Sequence, residues 1–233
     1  MLQQTEEVAK IRIMRLPDFL TPKELSSQLP WTKEWMGKLL AKGEGREINI
    51  QNVVASATFN QILDLDAIVK AFPHVEYRPE VFPGLAFRLK RPKTCTLIFK
   101  NGKMVCTGAK SERAARRAIL KVARELTAAG IIIIGKPEIK IQNIVASGRL
   151  GGTIDLIDLC ERAHMGGRLM YEPEQFPAAI YRMDNPKVVF LIFSNGKIVC
   201  VGAKNEGEVY EAVEKLQRML EENKFIHYLA PDE

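Results

Sequence analysis

RPEVFPGLAFRLKRPKTCTLIFKNGKMVCTGAKSE, at residues 78–112, returns at residues 172–206 as EPEQFPAAIYRMDNPKVVFLIFSNGKIVCVGAKNE. Upstream of each copy, IQNVVAS at residues 50–56 is matched by IQNIVAS at residues 141–147. Self-similarity of this kind indicates one structural unit present twice in the chain. The offset grows from 91 to 94 residues between the two motifs, so copy two has three additional residues, which we expect in a glycine-containing loop at residues 164–170.

Each copy has the same order of predicted elements, β-α-β-β-β-β-α. Runs rich in Val, Ile and Phe predict strands, and apolar residues at helical spacing predict a short helix after the first strand and a longer helix at the end. Gly130 is expected to end the longer helix of copy one. In copy one the strands are predicted at QNVVASATF, VEYRP, LAFRLK, TCTLIFK and KMVCTGA, and the helices at LDLDAIVKAF and SERAARRAILKVARELTAAG.

An Asn-Gly dipeptide lies between the last two predicted strands of each copy, in the sequence NGK. Asn-Gly between two apolar runs is a strong β-hairpin signal and favours a type I′ turn. We therefore predict an antiparallel hairpin with a type I′ turn in each copy.

The predicted fold is α+β, with two tandem β-α-β4-α repeats in a pseudo-twofold arrangement. We expect one curved antiparallel sheet of ten strands with all four helices on one side. The first repeat is placed at residues 46–138 and the second at residues 139–233, joined by the linker IIIIGKPEIK. Residues 1–45 form a separate N-terminal extension.

The predicted strands are apolar on both faces. Because successive side chains of a strand point to opposite faces, Leu97 and Phe99 share one face and Ile98 lies on the other, and Val105 likewise opposes Met104. Helices on one side cover only one face, which leaves an apolar sheet surface larger than a monomer usually exposes. That surface suits a dimer interface, a second sheet or a large partner.

Each repeat also carries an asparagine within an apolar strand, Asn52 and Asn143. A side-chain amide in such a strand needs a hydrogen-bond partner that the strand pairing cannot supply. Paired amides at a duplicated centre suit a partner with acceptors in a pseudo-twofold array, as adenine N3 and thymine O2 are in the minor groove of A·T-rich DNA. The sequence therefore favours double-stranded DNA as the ligand of the uncovered face.

The charge is distributed unevenly along the 233 residues, whose formal net charge is +6. Residues 50–140 contain 16 Lys and Arg against 7 Asp and Glu, whereas residues 141–233 contain 10 against 14. A basic half suits nucleic acid, and an acidic half suits a basic protein partner. Either half also suits an ordinary solvated surface.

The sequence contains no pattern that predicts catalysis, a cofactor or a metal site. The three histidines do not recur between the repeats, the four cysteines lack metal-ligand spacing, and no phosphate-binding loop or nucleophile motif is present. Cys106 and Cys200 match each other between the copies and are expected as core thiols. No apolar run approaches the roughly 18 residues of a membrane-spanning helix, and the N-terminus lacks a signal-peptide pattern.

Taken together, these motifs resemble the TATA-box-binding protein family in its archaeal form, over about residues 48–226. The resemblance rests on QN[VI]VAS, YxPExFP[GA], [FY]R[LM]xxPK and LIFxNGK[MI]VCxGAK, each present twice. It implies a saddle-shaped fold with the helices on the convex face. It also implies a general transcription initiation factor, not an enzyme, in the cytoplasm or nucleoid of an archaeal-type cell.

The resemblance implies partners as well. They are the TATA element of double-stranded DNA, a transcription factor B-type protein and the RNA polymerase pre-initiation complex, with no membrane and no cofactor. The protein would be a monomer on DNA, and dimerisation of the free protein stays open. The alternative is a paralogue that regulates selected promoters mainly through protein–protein contacts.

Individual site residues are carried over from the resemblance. Phenylalanine pairs would wedge between base steps, where a flat ring replaces part of the lost stacking; without the resemblance, a place in the core would be the simpler interpretation. Guanine's N2 amino group would clash with the base-contacting surface, and Lys and Arg would contact phosphates, which raises affinity and salt dependence. The wedges are Phe82, Phe99, Phe176 and Phe193; the base contacts are Asn52, Val54, Leu97, Val105, Thr107, Asn143, Val145, Leu191, Val199 and Val201; the phosphate contacts are Arg88, Lys93, Lys103, Arg182, Lys187 and Lys197; and the transcription factor B contacts are Glu172 and Glu174.

Copy two departs from the family pattern at one of these positions. The family usually has a hydroxyl in VxTGAK of both halves, and here Thr107 keeps it whereas Val201 does not. Because a valine side chain donates no hydrogen bond, we expect the second half to contact its central base step by packing alone, with a modest shift in half-site preference.

The N-terminal extension lies outside the resemblance. Pro22 after Thr21 is typical of a helix start, Pro30 of a break, and a second helix is predicted from Thr32. Two short helices suit a helical appendage on the domain, an arm that contacts another protein, or a helix-turn-helix-like element.

Overall fold

The structure is a computed structural model, and it describes residues 47–163 and 168–228. The helices predicted within residues 1–45 lie outside the described residues, as do residues 164–167 of the predicted loop. Copy one consists of β1 (Ile48–Thr58), α1 (Leu65–Ala71), β2 (Glu76–Arg78), β3 (Phe82–Leu89), β4 (Thr94–Ile98), β5 (Lys103–Ala109) and α2 (Glu112–Ala128). Copy two consists of β6 (Glu138–Arg149), β7 (Thr153–Ile154), α3 (Leu156–Arg162), β8 (Leu169–Met170), β9 (Ala178–Met183), β10 (Val188–Phe193), β11 (Lys197–Ala203), α4 (Glu206–Glu222) and β12 (Ile226–His227).

Ten strands form one antiparallel sheet in the order β2-β3-β4-β5-β1-β6-β11-β10-β9-β8. The prediction of an α+β fold with a ten-stranded sheet and four helices is therefore confirmed. A separate pair, β7 with β12, adds two strands of two residues each. Strands of that length have too few side chains to show an alternating pattern, which is why the sequence did not predict them.

The chain divides into two compact units, and a boundary between them falls within each of β1 and β6. The first contains residues 50–144 and 204–206; in the described residues, the second contains 47–49, 145–203 and 207–228. The predicted repeat boundaries at residues 46–138 and 139–233 describe the duplication of the sequence, and they stay a prediction.

In the first unit, the helices pack against the sheet. Helix α2 contacts β5, β4 and β3, and it buries Ile119, Val122 and Leu126 completely. Phe72, at the end of α1, packs edge to face on Phe87 of β3 with ring centroids 5.0 Å apart. In the second unit, α3 contacts β9, and α4 buries an apolar stripe at helical spacing, Val209, Ala212, Val213, Leu216 and Leu220.

The ends of α2 follow from the local sequence. The Ser111 hydroxyl accepts a hydrogen bond from a backbone N–H of the first turn at 3.1 Å, as an N-cap does. At the other end Gly130 has φ +85°. Its N–H donates to Thr127 O and the N–H of Ile131 donates to Leu126 O, both at 3.0 Å, which is a Schellman motif. Gly130 therefore ends the helix, as predicted.

A pair of glutamates joins the N-termini of α2 and α4. The backbone N–H of Glu112 donates to Oε1 of Glu206 at 2.9 Å, and the N–H of Glu206 donates to Oε1 of Glu112 at 2.8 Å. Each carboxylate thus satisfies an N–H that the first turn of the other helix leaves without an intrahelical partner.

The hairpin turns differ from the prediction. Gly102 has φ +78°, but Asn101 does not have a positive φ, so the predicted type I′ turn is wrong. The N–H of Gly102 donates to Phe99 O at 3.0 Å, and Asn101 Oδ1 accepts from the N–H of Lys103 at 3.2 Å. This asparagine bonds the backbone two residues on, which stabilises a turn with left-handed backbone at the glycine alone. The second hairpin has the same bonds.

The two matched cysteines are buried. Cys106 and Cys200 are 0% and 1% exposed, which confirms the prediction that they are core thiols. None of the helices in the described part of the chain is long and apolar enough to cross a membrane.

Candidate nucleic-acid interface

The predicted base contacts of copy one lie on neighbouring strands. Leu97 of β4 pairs with Val105 of β5, and Val105 pairs on its other side with Ser56 of β1. Leu97 is 4% exposed and Val105 is half-buried. We call the side chains of Asn52, Val54, Leu97, Val105 and Thr107 the repeat-one face.

The amide of Asn52 has a defined orientation. Its Oδ1 accepts a hydrogen bond from the backbone N–H of Gly108 at 2.7 Å, and its Nδ2 donates to Oγ1 of Thr107 at 3.1 Å. Because a backbone N–H is always a donor, this contact identifies the oxygen of the amide and leaves the NH₂ group on the other side. One of its two N–H bonds is used by Thr107.

The first pair of predicted wedges is in contact. Phe82 and Phe99 are half-buried, and their rings meet edge to face with centroids 5.9 Å apart. Gly84 makes room for them, because a Cβ at this position would lie 2.5 Å from a ring carbon of Phe82 and 2.9 Å from one of Phe99. The glycine is needed here for space.

The predicted base contacts of copy two also share a face. Leu191 pairs with Val199, and Val189 pairs with Val201. We call the side chains of Val145, Leu191, Val199 and Val201 the repeat-two face; they belong to one apolar cluster together with Phe176, Phe193, Ala178 and Ile180. Asn143 is buried in β6, at 4% exposure.

The second pair of predicted wedges differs from the first. Phe176 and Phe193 are 4% and 5% exposed, whereas the first pair is half-buried. Ala178 stands where copy one has Gly84, so the space beneath the first pair of rings is occupied by a methyl group in copy two.

The predicted phosphate contacts differ in accessibility. Arg88 forms an ion pair with Glu76 at 3.4 Å. Lys197 is only 4% exposed; burial lowers the pKa of its ammonium group, and the positive charge of Arg149 lowers it further. Of the other four residues, Arg182 is half-buried, and Lys93, Lys103 and Lys187 are exposed.

The predicted partner contacts lie in an exposed turn. Glu172 and Glu174 are both exposed. The carbonyl oxygen of Glu172 accepts hydrogen bonds from the N–H groups of Gln175 and Phe176, both at 2.9 Å. The turn that carries the carboxylates is therefore hydrogen-bonded to the backbone of Phe176, one of the second pair of predicted wedges.

Sequence reasoning missed two lysines that support the strands bearing the asparagines. Lys110 Nζ donates to Gln51 O and Lys204 Nζ donates to Gln142 O, both at 2.6 Å. Burial lowers the pKa of Lys110. The recurrence of GAK in both copies was a signal, but its partners are about 60 residues away in sequence, and no local pattern links them.

The described residues offer no site for a metal ion. No group of three or more His, Cys, Asp or Glu side chains in that part of the chain is arranged to hold a metal ion.

Comparisons with known proteins agree on one family. The sequence model of "Transcription factor TFIID (or TATA-binding protein, TBP)" matches residues 47–129 and 138–223. The TATA-box-binding protein of Pyrodictium occultum is 54% identical over 173 residues, which is 74% of this chain and 85% of the relative. That of Sulfolobus acidocaldarius is 52% identical over 169 residues, 72% of this chain and 84% of the relative.

A solved structure is similar as well. The structure of Methanococcus jannaschii TBP is 47% identical and superposes with a TM-score of 0.68, covering 76% of this chain and 99% of the other. Every predicted site residue lies within the family match, and residues 1–46 lie outside it.

Proposed function

Because this chain belongs to the TATA-box-binding protein family, we propose that it is a general transcription initiation factor that binds A·T-rich TATA elements through the DNA minor groove. The repeat-one and repeat-two faces are the surfaces that we assign to the base edges. The family is one of DNA-binding transcription factors, in keeping with a role that requires no catalysis.

The observation that carries this proposal is the orientation of the Asn52 amide. Its oxygen is held by the N–H of Gly108 and one N–H is used by Thr107. The second N–H can then donate to an acceptor on a base edge. Adenine N3 and thymine O2 are such acceptors, and guanine N2 is a donor that this amide would not match.

The apolar surroundings of the amide add to the preference. Leu97 and Val105, paired across β4 and β5, present methyl groups that fit a groove floor lacking the guanine amino group. At the ends of the element, Phe82 with Phe99 and Phe176 with Phe193 would enter opened base steps and kink the duplex.

Phosphate contacts would supply affinity without sequence preference. Lys93, Lys103 and Lys187 are exposed, which supports this assignment. Arg88 would exchange Glu76 for a phosphate; its ion pair has side chains 39% and 41% exposed, and such a surface pair contributes only about 0–1 kcal/mol, so the exchange costs little.

Recruitment of further factors would follow DNA binding. Glu172 and Glu174 offer exposed carboxylates in the acidic half of the chain, and a basic surface of a transcription factor B-type protein would complement them. That complex would in turn recruit RNA polymerase. We place the bound protein on DNA as a monomer, within the cell's nucleoid.

The test is a mobility-shift titration with a TATA duplex and with a duplex whose A·T pairs are replaced by G·C, each at two salt concentrations. We expect at least tenfold tighter binding to the TATA duplex, about 1.4 kcal/mol, and a loss of affinity with salt as counterions are released. Val105→Glu should abolish the preference, because it places a carboxylate against the groove. Leu120→Glu, at a 42% exposed position of α2, is the matched control and should bind normally.

Equal affinity for the two duplexes would contradict the proposal. It would favour the alternative of a paralogue that regulates promoters mainly through protein–protein contacts.

A further inference from the structure

A β-bulge interrupts the pairing of β1 with β5. Val53 pairs with Ala109, whereas Ala55 pairs with Cys106. The single residue between Val53 and Ala55 on β1 therefore faces two residues on β5. An extra residue of this kind is left out of the ladder of strand hydrogen bonds, so its backbone N–H is available to a side chain.

The N–H that the bulge makes available belongs to Gly108, and it donates to Oδ1 of Asn52 at 2.7 Å. The hydroxyl of Thr107 lies 3.1 Å from Nδ2 and 3.4 Å from Oδ1 of the same amide. Because a hydroxyl both donates and accepts, it would bond either end of the amide, whereas a backbone N–H bonds only the oxygen. The contact with Gly108 therefore decides which end of the amide is left for an outside partner.

The bulge requires a glycine at this position. Gly108 has φ +92°, a conformation that residues with a Cβ rarely adopt. A Cβ here would also lie 3.3 Å from Lys93 O and 3.4 Å from Thr94 Cα. A side chain would therefore turn the peptide group, and a hydrogen bond weakens steeply as its angle departs from linearity.

The same backbone conformation recurs in copy two. Gly202, the equivalent glycine, has φ +112°, and a Cβ there would lie 3.2 Å from Lys187 O. Its neighbour Val201 has no group that bonds an amide. The conformation of the glycine is thus present with and without the hydroxyl of Thr107, which indicates that it does not depend on that side chain.

The orientation of the amide matters because base edges in the minor groove differ in one group. Adenine N3 and thymine O2 accept hydrogen bonds, and guanine adds the N2 amino group, a donor. An amide that presents an N–H matches the two acceptors, whereas an amide turned over would present its oxygen and match guanine. Turning Asn52 over would point its NH₂ group at the N–H of Gly108, donor against donor.

We propose that Gly108 is a positioning residue for base recognition: its N–H keeps the oxygen of Asn52 away from the groove and thereby excludes guanine at the base step that this amide contacts. The inference rests on the proposed function, because it needs the repeat-one face to lie on base edges. It adds a source of A·T preference that is separate from the fit of Leu97 and Val105. That source lies in the backbone of β5.

The test measures base preference one position at a time. Mobility-shift titrations use a TATA duplex and a set of duplexes in which a single A·T pair is replaced by G·C. Asn52→Ala identifies the contacted position as the one where discrimination against G·C changes most. We expect the parent protein to discriminate there by roughly tenfold or more, as for one mismatched pair.

Gly108→Ala should reduce the discrimination at that position to within about threefold, because the turned peptide no longer selects one end of the amide. The other positions should keep their preference. Asn52→Asp presents an acceptor in either orientation and should lose the discrimination at the same position. Unchanged discrimination in Gly108→Ala would overturn the proposal, as would an equal loss of affinity for every duplex.

Gly130→Ala is the matched control. Gly130 also has a positive φ, +85°, but a Cβ there would meet no atom within 4 Å. The substitution therefore has a similar backbone cost away from the asparagine, and it should leave the discrimination intact at every position. Loss of discrimination in this control would attribute the effect to general destabilisation and contradict the proposal.

A measurement on the parent protein does not depend on how well a variant folds. Long-range HNCO spectroscopy detects the hydrogen bond itself, as a coupling between the nitrogen of Gly108 and Cγ of Asn52. We expect this coupling, and its absence where the neighbouring bonds of β1 with β5 are detected would overturn the proposal. Absence of A·T preference at every position in the parent would instead contradict the proposed function, and the coupling would still establish the orientation of the amide.

Discussion

Asn52 and Asn143 occupy the same place in the two copies, but their surroundings differ at one residue. Thr107 accepts a hydrogen bond from Asn52, and Val201, its equivalent, has no group that accepts one. The hydroxyl of copy one therefore orients an amide, in addition to the base contact that we propose for it. This positioning role was not anticipated from the sequence, where the threonine was assigned to the base alone.

Reciprocal substitutions separate the two roles of the hydroxyl. Thr107→Val should weaken binding to a TATA duplex by about three- to tenfold, because the net contribution of one hydrogen bond is roughly 0.5–1.5 kcal/mol. Val201→Thr should leave the affinity nearly unchanged, since packing already serves that step. Mobility-shift titrations measure both, with thermal unfolding to verify that each variant is folded. A gain of more than about tenfold from Val201→Thr would mean that the missing hydroxyl limits binding.

The cysteines should differ sharply in reactivity. Burial raises the pKa of Cys200 to about 12, so at pH 8 only about one thiol in 10,000 is ionised, and the thiolate is the reactive form. Burial also raises the pKa of Cys106. Cys160 is half-buried, and although burial raises its pKa too, a reagent can reach it.

Native alkylation with iodoacetamide at pH 8 should therefore modify Cys160 first, as read by peptide mass spectrometry. Cys160→Ser should leave a protein that reacts only when it unfolds. Rapid native modification of Cys200 would contradict the burial of that strand.

At the scale of elements, the helix ends show which features are local and which are not. Ser111 and Gly130 bound α2 through contacts within a few residues, and the sequence predicted both ends. The hairpin turn was also local, yet the prediction failed, because Asn101 bonds the N–H of Lys103 and a type I′ turn is only one of the turns that Asn-Gly allows. The pairing of Glu112 with Glu206, 94 residues apart, had no local signal.

The glutamate pair should contribute measurably to stability. Glu112→Ala and Glu206→Ala should each lower the free energy of unfolding by about 0.5–2 kcal/mol, as the loss of a helix N-cap does. The corresponding Gln variants should lose less, because an amide oxygen still accepts the hydrogen bond although the favourable charge at the helix N-terminus is gone.

Urea unfolding followed by circular dichroism measures these differences. Glu222→Ala, at an exposed position at the other end of α4, is the control and should stay within about 0.5 kcal/mol of the parent. Unfolding midpoints of the Ala variants equal to that of this control would show that the reciprocal bonds contribute nothing.

For the whole molecule, the uneven charge predicts two separable binding activities. Glu172→Lys with Glu174→Lys should abolish a ternary complex with a transcription factor B-type protein, because like charges then face its basic surface. DNA binding alone should persist, since both carboxylates lie in an exposed turn. A supershift assay on a TATA duplex reads both activities in one experiment. Simultaneous loss of DNA binding would point to misfolding and contradict the assignment.

Four features were predictable from the sequence alone: the duplication, the order of the elements in each copy, the α+β class and the family. These features depend on alternation, helical spacing, capping residues and repeated motifs, all of which are carried by neighbours along the chain. The asparagine in each apolar strand was visible for the same reason, whereas a role for the paired phenylalanines was implied only by the family resemblance.

The contacts between atoms of different strands required the three-dimensional structure. The bonds from Asn52 to Thr107 and from Lys110 to Gln51 join residues 55 and 59 positions apart. Phe82 and Phe176 likewise differ in exposure although they occupy equivalent positions in the two copies. Nearly identical local sequences thus have different exposures, because exposure is set by packing between distant segments and leaves no trace in the local pattern.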